Sequence, residues 1–294
     1  FIAAGGVADS VGESVAPPPP QTPAKVQNLT PTITLTNPMF GQLHHGPEEF
    51  AMTDLGNAQR FVGSFQHIMK YLPHEGAWLK WEGVRWERLH QGVEVYMGQK
   101  IAQAIVNDAM ARQDKDPMRA WAKRTCSNGS VNNMLKMASV MPEIALQAED
   151  IDSCWYEFGV GNGWIDLRDA SFHSPERERY MTMGSGVAYD EQATCPEWEQ
   201  TISDIHGGDS SVVSYFQRMV GYALTGRPLE EVTLFMVGNG SNGKSTVKSV
   251  IEELFGDYAS AVDKSVLMQK RGDGDGGSGA SPQLAALKGV RLAL

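Results

Sequence analysis

Residues 238 to 246 read Gly238-Asn239-Gly240-Ser241-Asn242-Gly243-Lys244-Ser245-Thr246, which places a lysine and two hydroxyls behind a run of glycines in the spacing GxxxxGK[ST]. That order suits a polyphosphate. Glycines let backbone N–H groups turn inward around phosphate oxygens, and a following helix N-terminus adds partial positive charge at the same point. Lys244 then reaches the β and γ phosphates as a point charge, the Ser245 hydroxyl holds Mg²⁺, and the amides of Gly240 to Thr246 cradle the phosphates. The expected ligand is a nucleoside triphosphate with Mg²⁺. All nine residues are candidate nucleotide contacts, with Lys244 and Ser245 the catalytic candidates. A hydrogen bond to a charged group contributes about 1.5–3 kcal/mol, so Lys244 carries much of the expected affinity. The plain alternative is a glycine-rich turn with an incidental lysine.

The loop needs a strand before it and a helix after it. Val232 to Val237 is a six-residue apolar run suited to a strand covered on both faces of a parallel sheet. Val247, Val250, Ile251 and Leu254 line one side of a helix that Gly256 terminates. Further upstream, Ala58, Phe61, Val62, Phe65, Ile68 and Met69 fall on one helical face that ends before Pro73. Trp78 to Trp86 reads as two short strands about Glu82-Gly83, and helices are expected over 93–112, 117–126 and 130–140. Residues 150–190 read as strands and turns, followed by helices over 196–206 and 210–224. Val290 to Leu294 reads as another strand.

Composition narrows the classes. The chain has 294 residues, 41% of them apolar and 20% charged, which is globular and long enough for two domains. Its net charge of −10 argues against a surface that coats nucleic acid, so any such contact is local. The acid concentrates in residues 151–230, with 13 acidic against 5 basic side chains. Cys126, Cys154 and Cys195 are odd in number and far apart, which fits reduced thiols in a cytoplasmic setting. No apolar run approaches the length of a membrane span, so no membrane role is expected. Residues 1–47 hold 8 of the 15 prolines and read as a stiff, disordered connector.

A phosphate loop does not by itself choose among kinases, GTPases and motors. Other stretches add to it. Asp54-Leu-Gly-Asn-Ala-Gln-Arg-Phe61 and Trp78-Leu-Lys-Trp-Glu-Gly-Val-Arg-Trp86 resemble the opening of the helicase-associated domain of phage and plasmid primase-helicases. Asn162-Gly-Trp-Ile-Asp-Leu-Arg168, Tyr189-Asp190, Cys195-Pro196, Gly221-Tyr-Ala-Leu-Thr-Gly226, Gly256-Asp257-Tyr258 and Leu287-Lys-Gly-Val-Arg-Leu292 follow in that family's order. Trp164 and Arg168-Asp169 depart from its usual small aliphatic residue and Thr-Gly turn.

The resemblance implies a superfamily 3 helicase with a poxvirus-type N-terminal accessory domain, acting in replication in the cytoplasm of a bacterial host. In this reading the fold class is α/β, an incomplete AAA+-like phosphate-loop NTPase behind an α+β accessory domain and a Pro-rich linker. The expected boundaries are 1–48 for the linker, 49–226 for the accessory domain and 227–294 for the first part of the ATPase. It further implies a homo-hexameric ring on single-stranded DNA and a fused or associated primase. The chain opens on Phe1 and stops at Leu294, before the family's second acidic motif, sensor and arginine finger, so it is expected to be a truncated piece. An arginine finger is worth roughly 10³ to 10⁵ in rate, so the piece is expected to bind ATP and hydrolyse it poorly. The rival readings are another phosphate-loop enzyme such as a small-molecule kinase, and a non-hydrolysing, nucleotide-responsive loader or partner-binding module.

Four other signals have bland readings. Trp78, Trp81 and Trp86 beside Lys80 and Arg85 could stack bases, but read as the packing face of a hairpin. His44-His45 has no ligand-spaced partner and reads as solvated. Arg271 to Ala280 reads as a surface loop, since Gly277 stands where a calcium loop needs a third ligand. Glu176 to Arg179 reads as a solvated charged turn.

Overall fold

A computed structural model describes residues 50–111, 117–227, 230, 233–240, 242–262 and 287–294. The proline-rich stretch with His44-His45, the Arg271 to Ala280 loop, and Ser241 of the phosphate loop lie outside the described residues. Thr53 opens the first helix by accepting the Gly56 amide on its hydroxyl at 3.0 Å. Helix α1 (Asp54–Phe65) then buries Ala58, Phe61, Val62 and Phe65, as the spacing predicts.

Ile68 and Met69 do not continue that helix. They are buried, but Met69 opens strand β1 (Met69–Leu72), which pairs with β2 (Ala77–Trp81); β2 in turn pairs with β3 (Trp86–Arg88) in an antiparallel meander. Two neighbours decide the matter: Lys80 lies opposite Met69, and Tyr71 exchanges backbone hydrogen bonds with Ile144 and Leu146 at 2.9 Å each. Tertiary pairing outweighs a helical period that two residues alone extend.

Helices α2 (Val93–Met110), α3 (Pro117–Thr125) and α4 (Asn128–Ala138) close over α1, each within two residues of its expected span. A second antiparallel meander follows, β4 (Glu157–Val160), β5 (Gly163–Asp166) and β6 (Ser171–His173). Pro196 sits at the start of α5 (Pro196–Ile205), where its missing N–H costs nothing. Asp209 caps α6 (Ser210–Leu224) by accepting the amides of Ser211 and Val212.

After the phosphate loop come α7 (Lys244–Phe255) and a short parallel pair, β7 (Ala259–Ser260) beside β8 (Leu292–Ala293). The described fold is therefore a mixed α and β assembly of two antiparallel meanders, seven helices and one parallel pair. None of the described helices is long and apolar enough to cross a membrane.

The strand expected over Val232 to Val237 is not formed. Residues 233–239 join no ladder, and Phe235 and Val237 are 81% and 92% exposed. An all-apolar strand is stable only with both faces covered, and here Phe235 and Val237 stand largely in solvent. Val232 itself lies outside the described residues.

The tryptophans of the first meander pack. Trp78, Trp81 and Trp86 are all buried, with the rings of Trp81 and Trp86 5.7 Å apart. Trp86 ties the meander to the segment after β6. Its amide donates to Met181 O at 2.8 Å, its Nε1 to Arg177 O at 2.8 Å, and its ring meets Tyr180. Removing a buried aromatic ring costs about 3–5 kcal/mol, whereas an exposed ion pair is worth about 0–1 kcal/mol. We therefore predict that Trp86→Ala lowers unfolding stability in urea by that larger amount, while Lys80→Ala, which loses an exposed contact with Glu82, leaves the midpoint nearly unchanged.

Candidate functional site

The phosphate-loop candidates meet at the start of α7. Gly243 precedes the helix at φ +81°, in the left-handed region. A Cβ on it would lie 2.5 Å from Ile205 Cδ1 at the end of α5, so both conformation and contact demand glycine there. A Cβ on Gly238 would lie 2.0 Å from Asn242 Nδ2, so that glycine is fixed by close approach.

The Lys244 ammonium folds back over the loop. It donates to Gly238 O at 3.0 Å, Asn239 O at 3.2 Å and Asn242 Oδ1 at 2.6 Å. Ser245 and Thr246 are exposed in the first turn of the same helix. A Cβ on Gly240 would meet nothing within 4 Å, so on that side an anion could approach its backbone. The donor set fits a magnesium-bound triphosphate: one ammonium, two hydroxyls and glycine backbone that side chains would otherwise block. All three acceptors of Lys244 are neutral, and an ammonium bonds about twice as strongly to an ionised oxygen.

The seat beneath the loop is apolar. Val247, Ile251 and Phe255 of α7 pack in one cluster with Phe158 and Val160 of β4, Ile202 of α5, Phe216 of α6 and Tyr258. Val250, expected on the buried side, is exposed, and Phe255 takes its place in the core. The helix thus stands on the strand and helices that precede the loop.

Two residues after the helix fasten it there. Tyr258 is buried. Its hydroxyl donates to Met183 O at 3.0 Å and accepts the Gly159 amide at 3.1 Å. Arg291 lies 4.2 Å over the Tyr258 ring and sends its guanidinium to Leu224 O and Glu157 O, each at 2.6 Å. Burial pushes the Tyr258 phenol up to about 12 against a smaller opposing pull from Arg291, and burial lowers Arg291. Beside them Asp257 Oδ2 accepts from Arg85 at 2.7 Å and from the Gly184 amide at 3.2 Å.

The sequence motifs contain Asp257, Tyr258 and Arg291 without giving them roles, and Arg85, read there as a cation beside the tryptophans, bonds Asp257 instead. Glu176 to Arg179 is not simply solvated: Arg179 bonds the buried carboxylate of Glu157, lies 4.3 Å over Trp164, and pairs with Glu176 at 3.0 Å. Trp164 stacks on His173 with centroids 4.1 Å apart, so the residue that departs from the family pattern fills a cation–aromatic stack. The signal available was the alternation of Glu and Arg beside a tryptophan-bearing strand, which does not say which pairs meet.

Comparison with known proteins adds two findings. A family model described as "D5 N terminal like" matches residues 58–207. A protein named as a putative helicase in Acanthamoeba polyphaga mimivirus is 26% identical over 242 residues, covering 74% of this chain and 24% of its own length. Another so named in Invertebrate iridescent virus 3 is 26% identical over 168 residues, covering 54% of this chain and 17% of its own. The chain thus spans less than a quarter of the length of either relative.

Tyr258→Phe should leave the Gly159 amide without an acceptor inside the core, at a cost of about 1–3 kcal/mol near pH 7. An unfolded tyrosine titrates near ~10, below the folded value, so the wild-type contribution is complete below pH ~10 and is lost as pH rises towards 12. Urea midpoints measured at pH 8 and pH 11 should fall more steeply in the wild type than in the phenylalanine variant.

Proposed function

We propose, from the premise that this chain belongs to the D5 N terminal like family, that it is part of an ATP-dependent replicative DNA helicase of superfamily 3. The single observation that carries the reading is the loop at 238–246, with Lys244 and Ser245 at the start of a helix seated on the accessory core. Lys244 neutralises the developing charge on the β and γ phosphates, Ser245 ligates Mg²⁺, and the backbone from Gly240 to Thr246 holds the phosphates. The helicase names of the two viral relatives support the motor reading over a small-molecule kinase.

Hydrolysis and unwinding belong in this proposal to the whole polypeptide. The relatives extend over four times the matched length, and a ring, usually of six subunits, draws single-stranded DNA through its centre by a few basic side chains in the pore. A primase fused to or associated with that polypeptide, and a role in copying a phage, viral or plasmid genome in the cytoplasm of its host, complete the reading. A loader that responds to nucleotide without hydrolysing it is the second reading, and the same loop would serve it.

The test is calorimetric titration of this chain with ATP and Mg²⁺. The wild type is expected to bind, and Lys244→Ala to bind about 10- to 150-fold more weakly, the loss of one charge-assisted hydrogen bond. Equal affinity in the two proteins would exclude the loop as the site. In the complete polypeptide, hydrolysis stimulated by single-stranded DNA separates the motor from both a kinase and a silent loader.

A further inference from the structure

Residues 117 to 142 contain no Asp or Glu yet carry Arg119, Lys123, Arg124 and Lys136, in a chain whose net charge is −10. The stretch includes α3 and α4, joined only by Cys126 and Ser127. Helix α4 buries Ser130, Val131, Met134, Leu135 and Ala138 against the bundle. Its opposite face, exposed, presents Asn128, Gly129, Asn132, Asn133 and Lys136 over about 12 Å of helix. Lys123 and Arg124 are exposed at the end of α3, next to where that face begins.

Several cations elsewhere are taken up by carboxylates: Arg85 by Asp257, Arg88 by Glu75, Arg168 by Asp166, and Arg179 by Glu157 and Glu176. Among the described residues, Lys123, Arg124 and Lys136 pair with no carboxylate. Asp54 reaches this face through a hydrogen bond from Asn133 Nδ2 at 3.0 Å.

Gly129 is a second observation. A Cβ there would meet nothing within 4 Å and its φ is not positive, so neither packing nor conformation requires glycine. Glycine costs a helix about 1 kcal/mol relative to alanine. What it provides is bare backbone on the exposed face, open to close approach.

We propose that the α3–α4 face binds duplex DNA, with Lys123 and Arg124 on phosphates and α4 in the major groove. Two helices joined by a tight turn deliver the second into that groove, which is wide enough for a helix. Asparagine is the side chain that pairs with adenine there, and lysine reaches guanine or phosphate. A single strand would call for aromatic stacking platforms, and the ring on α3, Trp121, is buried. The site is separate from the phosphate loop and does not depend on nucleotide.

The test is fluorescence anisotropy of the full chain with a dye-labelled duplex of about 20 base pairs and its single strand, without nucleotide, over a series of salt concentrations. The duplex should bind more tightly than the strand. The triple variant Lys123→Ala, Arg124→Ala, Lys136→Ala should bind the duplex at least about tenfold more weakly and flatten the log–log salt slope by about 3. Arg218→Ala, an exposed cation on α6, should match the wild type. Unchanged urea midpoints confirm that the variants fold. The proposal is overturned by no duplex binding, by tighter binding to the single strand, or by a triple variant that binds as the wild type does.

Discussion

Arg291 ties three parts of this fold, distant from it in sequence, to the segment before β8. It bonds the last carbonyl of α6 at Leu224 and the first of β4 at Glu157, stacks on Tyr258 behind α7, and through its own amide reaches Tyr258 O at 2.8 Å. A charge taken out of water is tolerable only when its donors are satisfied, and here carbonyls and an aromatic face do so. The α6 contact also sets a cation at a helix C-terminus, where the helix dipole favours it. Because Arg291 lies one residue before β8, the same contact fixes the parallel pair that β8 makes with β7.

The glycine-rich loop before α7 inherits its position from this arrangement. Helix α7 is held at its far end by Tyr258 and Arg291, along its length by Phe158, Ile202 and Phe216, and at its start by Ile205 beneath Gly243. Its ammonium and hydroxyls therefore stand on a core assembled from residues before the loop. The loop's other flank is different: Leu234 to Val237 is apolar and exposed. The helix after the loop is packed into the core, whereas the residues before it are exposed.

Much of this was legible in the sequence, because amphipathic periods and caps are local properties. Thr53 and Asp209 mark helix starts and Pro196 a first turn, and the six helices after the first lie near their expected spans. The misreadings have a common cause. Met69 was apolar at helical spacing but found strand partners, and Val232 to Val237 had the composition of a buried strand without a cover. Burial follows from composition, but which neighbour supplies it does not. The family motifs pointed to Asp257, Tyr258 and Arg291 without stating that their work is mechanical, because carbonyl acceptors carry no sequence signature.

The central claim, that Arg291 makes α7 and the preceding core one cooperative unit, is tested most directly by native-state hydrogen exchange on Arg291→Ala. The account predicts that amides in α7 and in β4 lose protection together and by similar amounts, although they lie some 90 residues apart in the chain. Loss confined to the residues flanking position 291, with α7 and β4 still protected as in the wild type, would contradict it.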